Sequence, residues 1–131
     1  MIIIFHYTVQ TNEPIEDAIQ TLEEQLKSEQ FGVLWQFNIK ETLESKGFDF
    51  DRPFHVLEVC NPKEAKDILE QNLLVGYFLP CKIVVYEIDG KTMIGMPRPS
   101  ELISMVEDES LLKTARDIEE TIIKCIDNSI R

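Results

Sequence analysis

The pair Asp89-Gly90 stands between two strand-like runs, Cys81 to Ile88 and Lys91 to Met96, and constrains the fold more than any other dipeptide in the chain. A two-residue connection favours a type I′ turn, which needs positive φ at both central positions, and Asp-Gly tolerates that. The spacing predicts an antiparallel hairpin around which the other segments must pack. In its first strand Ile83 and Val85 face one way while Val84, Tyr86 and Ile88 face the other, so both sides of the sheet are apolar.

The remaining periods supply the rest of the sheet and its helices. Residues 2–9 are apolar in both alternating sets and read as a first strand, closed by Thr11-Asn12-Glu13-Pro14. Ile15, Ala18, Ile19, Leu22 and Leu26 then recur at helical spacing. From Phe31 to Ile39 the period returns to two, and a helical turn over Lys40–Lys46 stops at Gly47, which can adopt the left-handed cap conformation. Phe54–Cys60 reads as a third strand. Asn61-Pro62-Lys63-Glu64 reads as a helix start, with Asn at the cap and Pro at the first helical position. Leu73–Leu79 reads as an apolar connection, Ser100 as the cap of a short helix to Val106, and a last helix from about Asp108 buries Leu111, Ala115, Ile118, Ile122 and Ile126.

This order predicts an α+β fold, a mostly antiparallel sheet with helices packed on one face, in one domain spanning 1–131. Helices from one chain can cover one face. The other face is then covered by a second subunit or by the short segments 40–46 and 73–79, and the two-sided pattern favours a homodimer.

Charge removes whole classes of partner. With 24 acidic against 13 basic residues the net charge is −11, which repels phosphate backbones and anionic lipid; no nucleic acid and no membrane are expected as partners. No apolar run approaches the roughly 18 residues that span a bilayer. Cys60, Cys81 and Cys125 make an odd set without Cys-x-x-Cys spacing, which argues against a disulfide framework or a four-cysteine zinc site and for a reducing, cytoplasmic setting.

Three segments carry a family resemblance. Phe31-Gly32-Val33-Leu34-Trp35, with Asn38-Ile39-Lys40-Glu41-Thr42-Leu43 and Lys46-Gly47 after it, is one; Val59-Cys60-Asn61-Pro62 is the second; Leu79-Pro80-Cys81 opening the run Lys82 to Glu87 is the third. Together they resemble the family known as domain of unknown function 302, over nearly the whole chain to about Met96. The resemblance implies a fold similar to the TATA-box-binding-protein-like class, a strand and helix followed by further strands and a closing helix. It implies no DNA binding, reaction, substrate or cofactor.

Chemistry has one candidate place. Cys60 ends a strand and Cys81 begins the next after a helix, so antiparallel pairing sets both at one edge of the sheet. Cys60 also precedes a helix N-terminus, whose dipole favours an anion and lowers a thiol's pKa. The candidate ligand-binding set is therefore Cys60, Asn61 and Cys81, helped by Lys40 and His55. The competing reading makes both thiols small buried apolar groups and Asn61 a helix cap. Glu58 shares the alternating row of Val56 and Cys60 and is either a half-buried acid or an edge residue facing water. His6 and His55 lack ligand spacing, no metal set is expected, and no phosphate loop, nucleophile elbow or paired-carboxylate motif is present.

The function these features support is a small-ligand binding or sensing module, homodimeric, with the cofactor unspecified. The alternative is a thiol-dependent redox or metal-binding protein using Cys60 and Cys81.

Overall fold

Asp89 and Gly90 have φ of 52° and 76°, the two positive values that the hairpin turn requires, and they join β4 (Cys81–Ile88) to β5 (Lys91–Pro97). The structure, a computed structural model, describes residues 4–130. Before the hairpin come β1 (His6–Thr11), α1 (Ile15–Ser28), β2 (Gly32–Asn38), α2 (Ile39–Ser45), β3 (Phe54–Cys60), α3 (Pro62–Gln71) and a 3-10 turn at Leu73–Tyr77. After it come α4 (Pro99–Ser104), a 3-10 turn at Glu109–Leu111, and α5 (Leu112–Ser129). The strands form one antiparallel sheet in the order β1-β5-β4-β3-β2. The fold is thus α+β, as the sequence periods indicate, with the strand, helix, strands and closing helix in the expected order.

Some boundaries move. The first strand was expected over 2–9; residues 2 and 3 lie outside the described residues, and the ladder to β5 runs from His6 to Thr11. Pairing with Thr92–Pro97 sets these limits, a constraint invisible in the apolar run itself. Ser100 does not cap α4. It lies inside that helix, where its backbone N–H and its hydroxyl both donate to Glu119 Oε1 of α5, at 3.0 and 2.7 Å. Arg98 pairs with the other oxygen of Glu119 at 3.3 Å, so the start of α4 is bound to α5 through one buried carboxylate.

Register sorts the sheet into two faces. Leu57 and Val59 of β3 lie opposite Ile83 and Cys81 of β4, and Val85 lies opposite Ile94 of β5. Against this row pack Ala18, Leu22 and Leu26 of α1 and Ile122, Cys125 and Ile126 of α5, all buried. A second, smaller core gathers Ile68 of α3, Val75, Ile103 of α4, Leu111 and Ala115. The 73–79 segment therefore packs with the helices and does not lie over the opposite face; its five-residue 3-10 turn was not legible because Gly76 interrupts the apolar run.

Tyr7 of β1 donates a short hydrogen bond to Asp127 near the end of α5, which holds its phenol neutral and pushes its pKa from 10.0 to about 12. In the unfolded chain the phenol ionises near 10.0, so this stabilisation is complete below that pH and disappears as pH rises to about 12. Chemical denaturation should accordingly find the native chain more stable than Tyr7→Phe at pH 8, with the difference shrinking to nothing by about pH 12; a gap independent of pH would show that the bond does not control the titration.

Candidate functional site

β3 and α3 meet at Cys60-Asn61-Pro62. Asn61 has extended backbone, and its Oδ1 accepts from the N–H groups of Lys63 at 3.1 Å and Glu64 at 3.2 Å. Two of the helix's free donors are thereby occupied by a side chain, which leaves less of the N-terminus for an anion. Cys60 sits one residue beyond Val59, which pairs with Cys81; the two residues meet at one rim of the sheet, with Cα atoms about 6 Å apart by strand geometry, and both border one small void.

Their chemistry differs from the sequence expectation. The thiol of Cys60 is pushed up, not down, by its partial burial. Burial and then the neighbouring Cys60 raise Cys81 to about 11. Cys125, buried between α1 and α5, is raised to about 11 by burial and by Glu29. All three are free thiols. The void bordered by Cys60, Asn61, Glu64 and Cys81 measures about 10 Å³, room for roughly one water at most.

Lys40 and His55 lie elsewhere. His55 is paired with Asn38 at the opposite end of β3, about 17 Å along the strand from Cys60. Lys40 is the second residue of α2 and holds Glu44 at 2.8 Å. Both belong to the β2–α2–β3 corner, where Asn38 Oδ1 accepts from the N–H groups of Lys40 and Phe54. The five candidate residues thus form two groups, and only Cys60, Asn61 and Cys81 come together. Among the described residues no cluster of His, Cys, Asp and Glu could hold a metal ion.

A larger space adjoins that rim. It measures about 320 Å³ and runs from Cys81 into the seam between the two cores. Its floor is Ala115 and Ile118 of α5; Ile68, Val75 and Ile103 make its walls, and Phe78, Leu79 and Pro80 close one side. Its solvent side carries Tyr77, Glu58, Lys82 and Pro97. Glu58 and Lys82 are cross-strand partners on the face of the sheet away from α1 and α5. Of this lining, Glu58 and Cys81 are the sequence's candidates for chemistry, Ala115 and Ile118 its buried positions in the last helix, and Leu79, Pro80 and Lys82 part of a family-like segment. The rest became visible once the 3-10 turn and α4 were placed, because no period connects Val75, Ile103 and Ala115. A cleft with apolar walls and a few polar groups at its mouth suits the binding of a small molecule.

Raised thiol pKa values bear on the alternative use of the cysteines. Alkylation of the native protein at pH 7 should modify Cys81 and Cys125 about 100-fold more slowly than an unperturbed thiol, since a two-unit rise removes that much thiolate. Mass mapping that finds Cys81 modified at the rate of a free cysteine would instead establish a reactive thiol.

The model of the family described as a domain of unknown function, DUF302, matches residues 7–129. A crystal structure of an uncharacterized conserved DUF302 protein from Bacillus stearothermophilus is similar at 52% identity and a TM-score of 0.95, over 97% of this chain and 99% of that one. The curated proteins yield no match.

Proposed function

The chain belongs to the DUF302 family, and from the apolar cleft in its fold we propose that it is a binding or sensing module for a small, largely apolar molecule. One observation carries this reading: about 320 Å³ of space, within the range of about 300–1,000 Å³ that ligand pockets occupy, lies in an apolar cleft that opens to solvent at the seam of the two cores. The rim formed by Cys60, Asn61 and Cys81 contributes one wall through Cys81, and the high thiol pKa there favours a packing role over nucleophilic chemistry. Unpaired thiols accord with a reducing, cytoplasmic setting.

Saturable fluorescence titration with 2-naphthol tests it. The native chain should bind, and Ala115→Phe, which fills the floor, should weaken binding by at least about tenfold while overpacking costs about 1–3 kcal/mol of stability. Leu102→Trp at the half-buried wall serves where the first variant fails to fold. Unchanged affinity in a folded variant would place binding elsewhere.

A homodimer is favoured by a different observation. On the sheet face away from the helices, Phe37, Val84, Tyr86 and Met93 are half-buried, Phe54 stacks on Tyr86 at 5.1 Å, and Trp35 on the edge strand is 60% exposed. Among the charged residues of its paired rows only Glu58 is acidic, in a chain with 24 acids. Negative charge is thus concentrated away from this apolar surface, and a second acidic copy can approach it with little repulsion. Sedimentation equilibrium should give twice 15.2 kDa for the native chain and the monomer mass for Val84→Asp; a monomeric native chain would remove this reading.

A further inference from the structure

We infer that the cavity's occupant is a zwitterion with a bulky apolar body, the chemistry of an α-amino acid with a large apolar side chain. This rests on the cavity being a ligand site and adds what the ligand must carry. Size comes first. A cavity of about 150 Å³ accommodates benzene, so the present volume of about 320 Å³ suits a body of about 12 non-hydrogen atoms at similar packing. The body must be apolar. Among the described residues no buried side-chain nitrogen or oxygen lacks a partner, so the deep walls offer no unused donor or acceptor to a polar group.

The mouth defines the head. Glu58 and Lys82 lie directly opposite each other on β3 and β4 and both line the cavity. Among the described residues neither side chain holds a hydrogen bond or an ion pair. An anionic head would gain Lys82 and meet Glu58; a cationic head would gain Glu58 and meet Lys82. Either single charge leaves one of these groups repelled at the mouth. A head with ammonium and carboxylate on one carbon satisfies both, because cross-strand side chains start about 5 Å apart and can close on a small dipole.

Isothermal titration at pH 7 with indole, L-tryptophan, tryptamine and indole-3-propionate separates body from head. L-Tryptophan should bind at least about tenfold more tightly than either singly charged analogue. Glu58→Gln should abolish its advantage over indole-3-propionate, and Lys82→Gln its advantage over tryptamine; both positions are solvent-facing, and circular dichroism checks that the variants fold. If indole binds but L-tryptophan is no tighter than its analogues, the head-group inference falls and the cavity reading stands. If no probe binds, indole included, both fall.

Discussion

Burial of one sheet face beneath α1 and α5 is the interaction on which the rest of the molecule depends. Leu57, Val59, Ile83, Val85 and Ile94 present a continuous apolar row, and Leu22, Leu26, Ile122 and Ile126 cover it to essentially zero exposure. Each such aliphatic side chain contributes about 1.5–3 kcal/mol on leaving water, so this contact dominates folding. It also fixes the course of α5, whose N-terminal turns extend past the row to a second core. Ala115 belongs to that second core and Ile118 to the first. The cavity lies at their seam.

The elements with local signatures were legible. Asp89-Gly90 fixed a hairpin, Asn61-Pro62 fixed the start of α3, and Gly47, at φ 88°, ends its helical turn in the left-handed conformation. Each rests on backbone chemistry within a few residues. Illegible features depend on distant partners. Ser100 looks like a helix cap in isolation but bonds a carboxylate 19 positions away. Lys40 and Cys60 lie in different family-like segments and His55 outside them, and the run of β3 from Phe54 to Cys60 sets Lys40 and His55 at the end opposite Cys60.

For the thiols, two local effects compete. Proximity to a helix N-terminus lowers a cysteine pKa and burial raises it. Sequence discloses the first and not the second. Asn61 also occupies the nearest backbone donors, so burial prevails at Cys60 and, more strongly, at Cys81. The rim that attracted attention for its sulfur atoms is better understood as one wall of an apolar space whose polar groups, Glu58 and Lys82, sit at the entrance.

Xenon-pressurised crystals examine that space directly, since xenon enters apolar cavities without needing a particular head group or charge. Ordered xenon density among Ile68, Val75, Ile103, Ala115 and Ile118 is the predicted result. Side chains closed over that seam, with xenon absent there, would contradict the account.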